Sequence, residues 1–243
     1  MTIRPSPRWA LIGVGILGLV ATACGVAPTA VTSPSEWSFV VRVDTTGTAC
    51  TGTSVGGNWV LTTTTCPATG VRFLAGQLRG KTFTVDRQRD NSRLRLLHYQ
   101  GDSAPAAVGF GLPIGVVNLT NGTTLTVASQ LACDNDSSDD QSIGSAGLRL
   151  LTPDPIDENT VWLQLGSTLT CTQDQGRPIL IRSNDHVWYV VGVQNAAMTA
   201  IGPSPNISYG PTQNTYDGGQ YYAVQARYVS HAAVNWIATV TAS

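Results

Sequence analysis

The chain has 243 residues, a formal net charge of −1, 42% hydrophobic residues and only 12% charged ones. That balance excludes a highly charged disordered chain, and the near-neutral total, with no basic stripe read along it, argues against a nucleic-acid partner. The length after any leader suits one large domain.

The first 23 residues read as a signal peptide. Arg4 and Arg8 precede an uncharged apolar run over residues 10–20, and Ala21-Thr22-Ala23 is a small-residue cleavage site. The run is short for a bilayer span, which needs about 20 residues. Cys24 directly after the small residues resembles the lipobox of bacterial lipoproteins. The resemblance implies lipidation at Cys24, export, and anchoring to a bacterial cell-envelope membrane, with Gly25 favouring the outer membrane where there are two. The alternative is a secreted chain with Cys24 as a stray thiol. Residues 24–36 are rich in Pro, Ser, Thr and Ala without apolar periodicity, and are expected to form a flexible tether before a domain at 37–243.

From Trp37 onward, short runs of Val, Thr, Leu and Tyr alternate with Gly, Pro, Asn and Asp. They predict strands at 37–43, 57–63, 70–74, 82–87, 93–98, 123–129, 145–151, 160–165, 178–181, 187–193 and 220–226. So many short strands argue for an all-β sandwich or barrel. Only residues 228–238 carry apolar spacing near the helical period, which predicts a C-terminal helix. Setting Cys24 aside leaves an even set, Cys50, Cys66, Cys133 and Cys171, in a chain expected to be exported.

Two stretches carry a more specific signal. Trp59-Val-Leu-Thr-Thr-Thr-Thr-Cys66 resembles the Trp-Val-Leu-Thr-Ala-Ala-His-Cys segment of the trypsin/chymotrypsin family of serine proteases. Cys171-Thr-Gln-Asp-Gln-Gly-Arg-Pro178 resembles that family's Cys-x-Gly-Asp-Ser-Gly-Gly-Pro. Between and around them, in the family's order, Thr48 to Thr53 is similar to the strand before the histidine loop, Asp90 to Leu96 to the aspartate segment, and Val190 to Val193 to the strand lining the cleft. Trp236 falls where the family's closing helix has a tryptophan. The resemblance implies two packed six-stranded antiparallel β-barrels with a cleft between them and a short C-terminal helix. It also implies a Cys50–Cys66 bridge. Cys133 and Cys171 then remain for each other, a departure from the family's pairing.

The same resemblance assigns the chemistry. Thr65 stands at the histidine position, Asp90 at the buried aspartate, Gln175 at the serine and Gln173 at a glycine of the oxyanion hole. A threonine hydroxyl accepts no proton near neutral pH, and a glutamine amide is neither nucleophilic nor ionisable. The implied activity is therefore absent. Leu169 stands at the floor of the specificity pocket, and with Gln175 and Asn195 it marks a cleft that would hold a peptide or protein segment. Asp174, whose family counterpart pairs with a newly cut α-amino group, is expected to bond Arg177 or backbone donors instead. Two other readings stay open: an exported serine endopeptidase with a different constellation, and a structural envelope lipoprotein whose cleft is filled by side chains such as Arg177.

The remaining residues point to no cofactor and no metal. His98, His186 and His231 lack ligand spacing. Asp134, Asp136, Asp139 and Asp140 are expected to form a solvated loop, with calcium as the weaker reading. Gly101-Asp102-Ser103 copies part of the nucleophile motif but lies in the connection between barrels. Tyr209, Tyr216, Tyr221 and Tyr222 are candidates for a binding rim.

Overall fold

A computed structural model of the chain describes residues 29–30, 36–46, 49–104, 109–110, 124–130, 143–153, 160–165, 175–184, 186–195, 199–201 and 221–243. After a two-residue strand, β1 (Thr29–Ala30), six strands form a closed antiparallel barrel: β2 (Val40–Thr45), β3 (Cys50–Gly56), β4 (Trp59–Thr63), β5 (Ala68–Phe73), β6 (Thr82–Asn91) and β7 (Leu94–Tyr99). Their order around the ring is β2-β3-β4-β7-β6-β5.

Adjacent apolar pairs explain why this barrel has two buried faces. Side chains alternate across a strand. In Val40-Val41, Val60-Leu61 and Leu96-Leu97 all six residues are buried. Val41, Val60 and Leu97 pack inside the barrel with Phe73 and Tyr99. Val40, Leu61 and Leu96 point outward, into a cluster shared with Leu180, Val190 and Ile237 of the second half. One residue of each pair thus builds the first barrel, and its neighbour joins that barrel to the rest.

The second half begins with β8 (Gly109–Phe110) and continues with β9 (Thr124–Gln130), β10 (Ile143–Pro153), β11 (Thr160–Leu165), β12 (Pro178–Arg182), β13 (Trp188–Gln194), β14 (Thr199–Ile201) and β15 (Tyr221–Tyr228). Antiparallel pairing runs β15-β11-β10-β9-β12-β13, and β13 pairs back onto β15. That last pairing closes a second six-membered ring. β14 adds to β15, and β8 runs parallel to β13. Helix α1 (His231–Thr241) follows, with the Ser230 hydroxyl accepting from the Ala233 N–H. Its buried face, Ala233 and Ile237, closes over the shared cluster.

Several boundaries differ from the sequence reading. The first strand starts at Val40, because residues 36–39 form a turn in which the Val40 N–H bonds the Trp37 carbonyl. β6 runs four residues past the expected end, held by its ladder to β7. The helix starts at its Ser230 cap, since Tyr228 still belongs to β15. Within the expected tether, Thr29–Ala30 pairs with Ser145 and Gly144 of β10. β11 pairs with β10 only from Leu148 onward, so the first residues of β10 have an open edge there, and β1 occupies it.

Candidate functional site

The segment Gln175–Arg177 is wedged where the two barrels meet. The Gln175 carbonyl accepts from the Thr51 N–H of β3 at 2.8 Å, the Gly176 N–H donates to the Gln194 carbonyl of β13 at 2.8 Å, and the Gln194 N–H donates to the Arg177 carbonyl at 3.0 Å. Gly176 has φ +82°, and a Cβ there would collide with the Thr51 carbonyl oxygen and the Thr62 hydroxyl. Glycine is therefore required twice over, by conformation and by space. The Cys50–Cys66 disulfide supports the first-barrel side, with Cα atoms 6.1 Å apart and the Cys66 sulfur 3.8 Å from the Gln175 carbonyl oxygen. A bridge spanning 16 residues contributes about 3 kcal/mol in the chain-entropy account. The backbone that presents residue 175 is thus fixed from both barrels, and the side chain it presents, partly exposed, is a neutral amide.

Arg177 is the largest fully buried side chain among the described residues, at 1% exposure. Its Nε donates to the Gln194 side-chain oxygen, and Gln194 is itself buried. Asn195, next in the chain, is 4% exposed, and among the described residues neither its amide nitrogen nor its amide oxygen has a hydrogen-bond partner. Both atoms are closed to solvent.

Thr65 lies in a tight turn closed by the Cys66 N–H on the Thr63 carbonyl, and is exposed. Its hydroxyl is 3.4 Å from that of Thr63, which donates to the Arg93 carbonyl. Asp90 departs from the buried position expected of it: it lies on β6, its side chain 43% exposed. The physical reason is the length of β6, which carries Asp90 onto a solvent-facing strand. The backbone facing Thr64 is that of Arg93, whose carbonyl accepts the Thr64 N–H at 3.0 Å. Both Asp90 oxygens are taken by Arg95, at 2.7 and 2.8 Å, and Arg95 also donates to the Cys66 carbonyl. A carboxylate so engaged has no oxygen committed to orienting a group at position 65.

The Arg95 hydrogen bonds hold the Asp90 carboxyl below its ordinary value and push the Arg95 guanidinium up. A depressed carboxyl stabilises the fold above its unfolded value of about 3.9 and loses that contribution as pH falls through its lower native value. With this exposure the contribution stays below about 1 kcal/mol. In urea unfolding, Asp90→Asn is expected to lower the midpoint by a constant amount at neutral pH, with the difference closing below about pH 4. A difference that widened in acid would contradict the pairing.

The other sequence candidates are dispersed. Asp102 pairs with Lys81 at 2.6 Å, so Gly101-Asp102-Ser103 is a surface turn. His98 bonds Asp86 at 2.6 Å and packs edge-on against Trp59, while His186 occupies a turn at φ +66° and His231 opens α1. Tyr221 and Tyr222 belong to β15. Cys24, Cys133, Cys171, Leu169, Gln173, Asp174, Tyr209, Tyr216 and the acidic loop lie outside the described residues. The sequence reading missed the Arg177–Gln194 pair. An Arg in place of the motif's last glycine was the available signal.

No protein-family model and no curated protein matches the chain. Among solved structures it is similar to human heparin binding protein, at TM-score 0.58 and 17% identity, over 88% of this chain and 95% of that one. A likeness at that identity speaks to the fold, and together with the closed six-stranded barrel, the second sheet and the C-terminal helix it shows that this chain has a trypsin-like fold.

Proposed function

We propose that the chain is a catalytically inactive member of the trypsin-like group that acts by binding a peptide or protein segment in the cleft beside residue 175. The observation that carries this reading is the contrast at the barrel junction. The backbone of Gln175–Arg177 is tied to both barrels, yet it presents an amide where the mechanism needs a hydroxyl. Thr65 brings no base, and Asp90 is occupied by Arg95. Loss of individual members of such a unit costs on the order of a millionfold in turnover. With nothing to attack or to take a proton, the partly exposed Gln175 amide, which can both donate and accept, suits recognition of main-chain groups instead.

Export and a lipid anchor at Cys24 belong to the same proposal and rest on the leader sequence alone. Metabolic labelling with a fatty-acid analogue should mark the native chain and leave Cys24→Ser unmarked.

For the site, the full chain should neither cleave a broad peptide library nor react with a fluorophosphonate probe, and it should enrich a consistent set of sequences from a displayed peptide library. Cleavage or covalent labelling of the native chain would sink the proposal and favour the endopeptidase reading. Thr65→His with Gln175→Ser is expected to restore little activity, since the carboxylate that would orient the imidazole is engaged by Arg95; losing that orientation alone costs about 10⁴-fold in a related enzyme.

A further inference from the structure

The cations of this chain are gathered on one barrel. Residues 37–104 hold eight basic and four acidic residues, whereas residues 105–243 hold four basic and ten acidic ones. Seven of the 14 basic residues fall within residues 72–95, beside only Asp86 and Asp90. The chain-wide charge of −1 conceals this, and the expectation that no basic stripe exists is corrected for β6 and its turns.

Arg79, Lys81, Arg87, Arg89 and Arg93 are all exposed. They follow β6 and the turns at its two ends. The ten residues of β6 are exposed over most of their length and extend about 33 Å at 3.3 Å per residue. Arg87 and Arg89 share one face of β6, opposite His98 and Leu96 of β7. Ser92, at φ +56°, turns the chain and adds Arg93 at the end of the row. Of the nearby acids, Asp90 is held by Arg95, Asp86 bonds His98 and lies 4.0 Å from Arg87 Nε, and Asp102 pairs with Lys81 at the end of the row.

We infer that β6 and its flanking turns form a docking ridge for a linear polyanion with closely spaced phosphate groups. Guanidinium groups bind such oxyanions through paired hydrogen bonds, and four of the five cations are arginine. The narrow row suits a chain laid along it. A membrane surface would also call for apolar groups to insert, and the exposed large hydrophobic residue among the described ones is Val187, beside β13. A single-stranded nucleic acid would call for exposed rings on which bases stack. Here Trp59 and Tyr99 are buried and Phe83 packs against Phe73 and Tyr99. This surface does not depend on the proposed cleft.

The test is fluorescence anisotropy of labelled long-chain inorganic polyphosphate titrated with the full chain over a range of salt. The native chain is expected to bind, with affinity falling as salt rises. Arg89→Gln with Arg93→Gln should weaken binding by about tenfold or more and lower the salt slope by about 2. Arg182→Gln, on β12, should change it by less than about twofold. Unaltered melting temperatures would show that the variants remain folded. Failure of the native chain to bind at low salt would overturn the proposal, as would equal losses from the two sets of variants. So would tighter binding to phosphatidylglycerol vesicles or to a single-stranded oligonucleotide than to polyphosphate.

Discussion

Gly176→Ala is expected to cost about 3 kcal/mol or more in urea unfolding, enough to leave much of the chain unfolded or insoluble at 37 °C. Two penalties add. Alanine at φ +82° pays the left-handed backbone cost of about 1 kcal/mol. The new methyl would also overlap the Thr51 carbonyl oxygen, which is backbone of a strand buried from Cys50 to Val55, and the Thr62 hydroxyl, which itself donates to that carbonyl at 2.9 Å. Neither can retreat without breaking the Thr51–Gln175 bond that ties the barrels together. Gly57→Ala separates the two penalties. Gly57 has φ +56°, but its nearest obstacle is the Thr241 carbonyl at 3.5 Å, so only the backbone cost of about 1 kcal/mol should appear. If the two variants lost equal stability, the close approach at position 176 would be refuted, and with it the view that this segment is held rigidly between the barrels.

The contrast between these glycines bears on what a sequence can reveal. Gly176 was recognisable because it sits in a motif whose neighbours resemble a known pattern, and the Cys50–Cys66 bridge came with the same resemblance and is present. The first barrel was legible for a physical reason: pairs such as Val60-Leu61 and Leu96-Leu97 sit in short apolar runs bounded by turn residues, which read as strands, and they lie in the two buried clusters, one on each face. What failed was pattern reading where the pattern is polar. Residues 86–91, Asp-Arg-Gln-Arg-Asp-Asn, show no apolar alternation, so β6 was expected to stop at 87, and Asp90 was matched to a buried acid that begins the next strand. Pairing with β7, which no local propensity encodes, carries the strand to Asn91 and leaves Asp90 in solvent with Arg95. The cationic row was hidden for a related reason, since a total charge averages a positive barrel with a negative remainder. The burial of Arg177 is the hardest to foresee, because its partner stands 17 positions away at the end of β13.

That pair supports the second large prediction. Arg177 and Gln194 are each 1% exposed, and the side-chain bond between them runs beside the backbone bonds that join Gly176 and Arg177 to Gln194. Gln194→Leu should cost about 2 to 3 kcal/mol, because it removes an acceptor from a guanidinium that cannot shed its charge or reach water. Arg177→Met removes the charge along with its need for acceptors, and should cost less. The double variant Arg177→Met/Gln194→Leu replaces both partners with apolar groups of similar bulk and is expected to be more stable than Gln194→Leu alone, with a coupling of about 1 to 3 kcal/mol across the cycle. Additivity within about 0.5 kcal/mol would mean that the two side chains do not depend on each other. The outcome reaches back to function. A strongly coupled pair makes Arg177 part of the barrel junction, turned inward, so its charge is not offered to a ligand. Recognition beside residue 175 would then fall to the partly exposed, neutral amide of Gln175, which matches the main-chain groups of a peptide better than it matches a charged side chain.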